Sequence, residues 1–298
     1  TRNFKEDAQS YYLARAGVER ALAELTAAYD YNYLGENGGV VFAKVQPGAE
    51  GAPATGGQQQ EKVVVPGLET QLGDGVFSFR IIDREGKLDI NMLVRNRSIL
   101  NELLIQAGVK EKETRDTIMD SMQDWVDKDD LHRLNGAEDA YYLTLNPPYR
   151  AKNDIFGTVE ELLLVKGVTG EIFYGTPDKT VEEGGYRGLA DFLSVTGSNR
   201  VNINTAPKEV LTALGYDQGR MDLLQTGAPQ PSLPPLLSQF PRGTFRPVTR
   251  SDYFTIEAKG SAAGSGGNRV IRADVSRRGS GAQSSVIVSR WDDNYYQR

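Results

Sequence analysis

The chain has 298 residues, 39% of them hydrophobic and 25% charged, a composition that is typical of soluble globular proteins and long enough for two domains. Its formal net charge of -6 argues against a general nucleic-acid-binding surface, because affinity for phosphates comes largely from lysine and arginine. The absence of cysteine excludes disulfides, zinc–thiolate sites and a thiol nucleophile, and the single histidine excludes a histidine-rich metal centre.

The first thirty residues have the pattern of one long amphipathic helix. Apolar residues recur at spacings of three, four and seven, which places them on one stripe of a helix. The stripe consists of Phe4, Ala8, Tyr11, Val18, Leu22, Leu25 and Tyr29. The chain starts inside this pattern without a methionine, so we expect further residues upstream. No apolar run in the sequence is long enough to cross a bilayer.

Strand-like and helix-like segments follow in three blocks. Residues 46–61 are rich in glycine, proline, alanine and glutamine and predict a mobile loop. Apolar and polar residues alternate in VFSFRIID at 76–83 and again in three segments between 253 and 291, which predicts an antiparallel sheet. The intervening segments end at glycines or turns, as helices do. We therefore predict an α+β fold in which residues 1–87 and 251–298 form a long helix on an antiparallel sheet, and residues 88–250 form an inserted all-helical domain.

The predicted insert contains an internal echo. GKLDINMLVRNRSILNEL and NRVNINTAPKEVLTAL share a basic residue, an aliphatic residue, Ile-Asn and then a helical pattern. Asn91 and Asn204 occupy the same position in the two copies, and Pro207 lies near the first helical position of the second copy. We predict that the two asparagines cap the turns into their helices.

Residues 120–139, the acidic segment, carry most of the excess negative charge. Seven acidic residues stand there against Lys128 and Arg133, and they are Asp120, Asp124, Asp127, Asp129, Asp130, Glu138 and Asp139. So many like charges repel one another unless the segment is open to water or holds a cation. A solvated turn is one interpretation, with Asp127 and Asp129 capping helix ends and Arg133 neutralising an acid.

A calcium site is a second interpretation. If Asp127 is position one of a twelve-residue calcium loop, Glu138 falls at position twelve, but Leu131 and His132 stand where a ligand and a glycine are expected. We therefore expect an oxygen-rich calcium site of different geometry, with ligands from Asp127, Asp129, Asp130, Glu138 and Asp139. A third interpretation is a carboxylate pair for glycoside hydrolysis, with Trp125 as a stacking platform, although core packing is the more usual role of such a tryptophan.

The segment LLLVKGVTGEIF has the pattern of a helix-hairpin-helix, in which a Gly-x-x-Gly turn presents backbone amides to a DNA phosphate. Lys166 is the lone nearby cation and is flanked by Glu160, Glu161 and Glu171, which favours a packing role. A helix-hairpin-helix nucleic-acid-binding protein is therefore the alternative function. Thr158 and Glu161 have the spacing of a capping box, and no nucleophile motif supports catalysis.

Three motifs occur in an order that resembles the protein K family of the type II secretion system, the large minor pseudopilins. They are DWVDKDDLHRLNGAEDAYY, PYRAKNDIFGTVEELLLVKGVTGEIF and VNINTAPKEVL, after a helix of the form AQSYYLARAGVERAL. The resemblance implies a pilin-like helix on an antiparallel sheet with a large helical insert. It also implies a non-enzymatic subunit that joins the smaller minor pseudopilins I and J at the tip of the periplasmic pseudopilus.

The same resemblance implies an inner-membrane anchor in the missing first half of the helix, so this chain would be the periplasmic part. It also implies calcium in the insert, carried approximately onto the five acidic residues given above. For the mechanism of assembly, we expect the apolar stripe on residues 4–29 to contact partner helices. We expect the bulky insert to obstruct the addition of a further subunit above it.

Overall fold

The computed structural model of the protein describes residues 2–27, 29–35, 38–45, 61–63, 67–177, 179–225, 229–264, 267–279 and 284–293. The loop predicted at 46–61 lies, except for residue 61, outside these ranges. The chain divides into two compact units. The helix–sheet unit comprises Thr1–Glu85, Gly227–Leu233 and Val248–Arg298, and the insert comprises Gly86–Thr226 and Pro234–Pro247.

The helix–sheet unit contains one long helix and two antiparallel sheets. Helix α1 spans Arg2–Thr26. The smaller sheet has the order β1 (Tyr31–Leu34), β2 (Val40–Ala43) and β3 (Glu61–Val63). The larger sheet is built from β4 (Thr70–Leu72), β5 (Gly75–Asp83), β10 (Tyr253–Ser261), β11 (Arg269–Arg278) and β12 (Ser285–Asp292). Its order is β12–β11–β10–β5–β4, so the two halves of the chain pair where β5 meets β10.

Helix α1 lies directly on the larger sheet because its apolar stripe packs there. Val18 and Leu25 are fully buried in one core with Ile256 of β10. The contact is close: a Cβ at Gly260 would lie 2.2 Å from the backbone nitrogen of Ala14. The predicted α+β fold, with its long helix on an antiparallel sheet, is confirmed.

The burial of the stripe corrects one expectation. Most of the stripe is covered by the sheet of the chain itself, so it is not available to partner helices, whereas Phe4 at its start is 80% exposed. The sequence pattern identifies which residues need to be buried but not whether the covering surface belongs to the same chain. The side of α1 that stays open presents Tyr12, Arg15 and Glu19 instead.

The insert is mainly helical, but it is not all-helical as predicted. Its helices are α2 (Ile90–Leu93), α3 (Arg97–Gln106), α4 (Lys112–Val126), α5 (Asp139–Tyr142), α6 (Gly170–Tyr174), α7 (Lys208–Ala213) and α8 (Gln218–Gln225). Short 3-10 helices cover Val159–Leu164, Leu189–Asp191 and Pro235–Leu237. Two small sheets pair β6 (Leu88–Asp89) with β7 (Leu193–Ser194), and β8 (Arg200–Asn202) with β9 (Arg246–Val248). Strands of two or three residues are too short to show an alternating pattern.

The residues that cap the turns of the internal echo are not the predicted asparagines. Asp89 caps α2, with its Oδ1 accepting from the backbone N–H groups of Asn91 and Met92 at 3.0 and 3.1 Å. Asn202 holds the matching position in the second copy and accepts from the N–H of Asn204 at 3.0 Å. In both copies the acceptor at the turn lies two residues before the predicted asparagine. Helix α7 itself begins after Pro207, which is its N-cap residue and has no side-chain cap hydrogen bond.

Candidate functional site in the acidic segment

The acidic segment begins on α4, whose buried face anchors it in the core of the insert. Trp125 is only 3% exposed and packs edge-on against Tyr142, with ring centroids 5.3 Å apart. Tyr142 in turn stacks on Tyr149 at 5.3 Å. The core interpretation of Trp125 is therefore confirmed, and its ring is not available as a platform for a sugar.

Two buried acids of α4 hold the turn that follows the helix. Asp124 is completely buried and accepts from the backbone N–H groups of Arg133 at 3.1 Å and of Ala137 at 2.9 Å. The Arg133 guanidinium donates to Asp124 and to Asp127 at 2.5 and 2.6 Å. Asp124 is thus neutralised and satisfied within the fold, which stabilises the loop. The sequence analysis missed this role, because periodicity does not show that a helical acid reaches a turn nine residues later.

Asp120 lies one turn of α4 before Asp124 and holds the same loop. Its Oδ2 accepts from the side-chain amide of Asn135 at 2.9 Å and from the backbone N–H of Asn135 at 3.2 Å, and its Oδ1 accepts from Arg97. Burial acts to raise the pKa of Asp120, but the hydrogen bonds from Arg97 and Asn135 outweigh it and lower the pKa below its ordinary value. The turn is therefore tied to the helix by two buried carboxylates, Asp120 and Asp124.

Besides Asp127, which pairs with Arg133, three of the five predicted calcium ligands have protein contacts of their own. Asp129 is exposed and accepts from the N–H of Leu131 at 2.9 Å, and Asp130 is exposed near the side-chain amide of Asn153, at 3.5 Å. Asp139 pairs with the Arg150 guanidinium and accepts from the N–H of Ala151 at 2.9 Å. These three carboxylates do not need a metal to satisfy them.

The other two predicted ligands, Asp127 and Glu138, have buried oxygens without a hydrogen-bond partner. Glu138 is 3% exposed and both of its carboxylate oxygens are unpartnered, as is Oδ1 of Asp127. The side-chain oxygen of Asn153 is buried and unpartnered as well. The backbone of Asn153 is left-handed, with a φ of 51°, a conformation that asparagine adopts more readily than most residues.

The environment of Glu138 disfavours its charged form. Burial, and after it the negative charges of nearby aspartates, together raise the pKa of Glu138 to about 7. These aspartates are Asp124, Asp127, Asp130 and Asp129. A divalent cation bound by the Glu138 carboxylate would remove both the desolvation penalty and the repulsion.

The chemistry of the unpartnered atoms suits a hard cation, since carboxylate and amide oxygens are the ligands that calcium prefers. In the part of the chain that the structure describes, however, no group of three or more histidine, aspartate or glutamate side chains is arranged so that it could hold a metal ion. The calcium site predicted at Asp127, Asp129, Asp130, Glu138 and Asp139 therefore stays a prediction. Asn153 joins it as an oxygen ligand that the sequence analysis did not consider.

The helix-hairpin-helix segment contacts the acidic turn. The Lys166 ammonium donates to the carbonyl oxygens of Asn135 and Gly136 at 3.3 and 3.0 Å and lies 5.1 Å from the centroid of the Tyr141 ring. The Thr158–Glu161 capping box that starts the first half of the hairpin is also present. The lone cation is therefore used within the insert, which supports the packing role.

Replacing Lys166 with methionine is expected to destabilise the insert by about 1–2 kcal/mol, because two hydrogen bonds from a charged donor are lost. Urea unfolding followed by Trp125 fluorescence measures this change. Lys128→Met, in the acidic segment, is the control, since no hydrogen bond or ion pair of Lys128 occurs within the described residues. Equal midpoints for the two variants would show that Lys166 is not a structural donor.

Parts of this chain, including the acidic segment, are similar in sequence to known proteins. A family model described as type II secretion system (T2SS), protein K, matches residues 86–174. Type II secretion system protein K of Pseudomonas aeruginosa is 34% identical over 47% of this chain and 40% of its own length. The protein of the same name from Aeromonas hydrophila is 35% identical over 40% of this chain and 34% of its own length. The chain thus matches less than half the length of these relatives.

The likeness in fold extends over nearly the whole chain. A chain in the crystal structure of the GspK-GspI-GspJ complex from the type 2 secretion system of enterotoxigenic Escherichia coli superposes with a TM-score of 0.67. The superposition covers 99% of both chains at 17% sequence identity. The resemblance to protein K seen in the sequence motifs is confirmed. Throughout the described ranges, no helix is both long enough and apolar enough to cross a membrane.

Proposed function

We propose that this chain, whose residues 86–174 belong to the protein K family of the type II secretion system, is a minor pseudopilin with a non-enzymatic, structural role. The observation that carries the proposal is the agreement of two independent likenesses, the family match inside the insert and the fold match over 99% of the chain. The role is assembly at the pseudopilus tip with the two smaller minor pseudopilins, I and J, in support of protein export across the outer membrane. The site of action is the periplasm, at the end of an inner-membrane anchor.

The exposed side of α1 is the surface that we propose for helix-to-helix contact with these partners. The buried stripe is occupied by the sheet, whereas Tyr12 is 64% exposed and the Arg15–Glu19 pair lies on the open side. An exposed tyrosine provides apolar area at low entropic cost, and charged neighbours give orientation to an approaching helix. The insert then adds bulk that obstructs the addition of another subunit above it.

Mixing the chain with soluble fragments of proteins I and J from the same system is expected to give a stable one-to-one-to-one complex. Light scattering on size-exclusion fractions measures its mass. Tyr12→Glu is expected to weaken assembly by about tenfold or more, because a charge replaces central apolar area. Tyr174→Glu, at a half-exposed position in the insert, is the control. Separate monomer peaks at high concentration would contradict the proposal.

We also propose that calcium binds the acidic segment through Glu138, Asp127 and Asn153, with Asp129, Asp130 and Asp139 as the remaining candidates. The unpartnered buried oxygens support it, and the bound ion would stabilise the insert by binding the folded loop and not the unfolded chain. The helix-hairpin-helix alternative gains no support, because Lys166 is engaged with the acidic turn and the chain is acidic.

A further inference from the structure

Strand β12 is an open edge of the larger sheet. Its eight residues, Ser285–Asp292, pair with β11 on one side, and no other strand follows it in the described part of the chain. The opposite edge, β4, has only three residues. An edge strand leaves a row of backbone N–H and C=O groups on its outer side, which is a template for another strand.

Strand β12 exposes apolar side chains on both faces of the sheet. Val288 and Trp291 lie opposite Val275 and Ala273 of β11, whose side chains belong to the core under α1, so these two point to the α1 side. Ile287 lies opposite Ser276 and points to the other side. All three are large and exposed, Ile287 by 41%. A helix beside α1 would cover only one face, whereas an added strand covers both faces and the backbone edge.

The exposed charges at this edge favour a partner strand with acidic residues. Arg290 and Arg278 are exposed, and in the described residues neither forms an ion pair or a side-chain hydrogen bond. Most other arginines of the chain do form ion pairs, for example Arg97, Arg133 and Arg269. Arg290 lies on β12 and Arg278 at the end of β11, so pairing this edge with that of a second copy would add two more exposed arginines to it, which is unfavourable. A strand that carries acidic residues has the complementary charge.

The edge is only partly protected. Ser289 is an extra residue at a β-bulge opposite Asp274, and its hydroxyl donates to the carbonyl of Asp274 at 3.0 Å. Bulges and charges are common devices against unwanted edge pairing. Here the positions on either side of the bulge, Val288 and Trp291, are apolar and open, which a protective edge avoids.

We infer that β12 accepts an extended, acidic strand from a partner subunit, which continues the larger sheet beyond Ser285–Asp292. The inference rests on the proposed function, since the partner is one of the two smaller minor pseudopilins. It assigns a second contact surface, separate in sequence from α1, in which backbone hydrogen bonds supply affinity and Ile287, Val288 and Trp291 supply apolar area.

The test is hydrogen exchange and affinity in the assembled complex with fragments of proteins I and J. The backbone amides of 285–292 are expected to exchange about tenfold or more slowly in the complex than in the free chain. Ile287→Asp is expected to raise the Kd by about tenfold, because it removes apolar contact area and places a negative charge beside the acidic strand. Arg290→Glu is expected to raise the Kd by about fivefold and to weaken its dependence on salt. Ile155→Asp, at an exposed position in the insert, is the matched control.

The outcomes distinguish the strand addition at β12 from the proposed function. A complex that forms without slower exchange at 285–292, and with the same Kd for Ile287→Asp, overturns the strand addition and leaves the proposed function intact. Failure to form any complex overturns both. Dimers of the isolated chain that Ile287→Asp abolishes would identify a second copy as the occupant, and so would overturn the acidic partner strand.

Discussion

Replacing Glu138 with glutamine is expected to raise the melting temperature of the calcium-free protein at pH 8. It is also expected to abolish the further rise that the proposed calcium site predicts for the wild type. The glutamine keeps the shape of the side chain but removes a buried negative charge that faces other carboxylates. The folded protein without a cation bears the cost of that charge, and a bound cation removes it. The same substitution is therefore expected to stabilise the calcium-free folded protein and to remove a ligand from the calcium-bound one.

The raised pKa of Glu138 determines the sign and size of the change in the free energy of unfolding with pH. The pKa of Glu138 is raised to about 7 in the folded protein, from an ordinary value of 4.5. Between these values the folded state holds a proton that the unfolded state has lost, so the free energy of unfolding falls as the pH rises from 4.5 to 7. Above pH 7 the full cost of ionisation, on the order of 2–3 kcal/mol, is present in the calcium-free wild type.

Differential scanning calorimetry at pH 5 and pH 8, with EGTA and with excess calcium, measures these effects. At pH 8 with EGTA the Glu138→Gln variant is expected to melt about 5 °C above the wild type, and at pH 5 the difference shrinks. Excess calcium is expected to raise the wild-type melting temperature and to leave that of the variant unchanged. Glu113→Gln, an exposed position in the first turn of α4, is the control. A wild-type melt that does not respond to calcium would refute the calcium site.

Substituting Gly136 with alanine is expected to destabilise the insert by about 3–5 kcal/mol, since overpacking and the loss of buried hydrogen bonds add together. A Cβ at this position would lie 1.8 Å from Oδ2 of Asp124, a distance that no packed structure tolerates. Asp124 is completely buried and holds Arg133 and Ala137, so its carboxylate has no free direction in which to move. Relieving the clash breaks the contacts that tie the acidic turn to α4.

The comparison that isolates this effect is Gly170→Ala in the same unit. A Cβ at Gly170 meets no atom within 4 Å, and alanine is a better helix former than glycine at the start of α6. Its midpoint in urea is expected to stay within about 0.5 kcal/mol of the wild type. EGTA in all samples separates the packing effect from metal binding. If both alanine variants unfold at the same urea concentration, Asp124 is not the rigid anchor that its burial indicates.

The sequence predicted the structure best where a periodic pattern of apolar residues marks one buried face of a helix or strand. The stripe that includes Val18 and Leu25 predicted the helix and its buried face, and the alternation in VFSFRIID predicted β5. The capping box at Thr158 was also correct, because it depends on two residues three positions apart. Local patterns of this kind need no knowledge of distant contacts.

The acidic segment was predictable in composition but not in geometry. Glu138 and Asp129 look equivalent in the sequence, yet the first is buried and unpartnered while the second is exposed. Nothing in a loop pattern states which carboxylates face inward. The role of Asp124 depends on a turn nine residues away, and that of Asn153 on a loop from another part of the insert. Long-range pairing of this kind is set by the fold as a whole.

The pairing of β5 with β10, the two strands that the insert connects, bears on how much the insert can vary in length. Asp83 at the end of β5 lies opposite Phe254 of β10, and the N–H of Arg84 donates to the carbonyl of Tyr253 at 3.0 Å. The two strands therefore meet as the arms of a hairpin, whatever connects them. Doubling the length of such a connection adds only about 0.6 kcal/mol to the entropic cost of closing it. The strand pairing can thus tolerate a longer or shorter connector, so the insert can change in length while β5 and β10 keep their register.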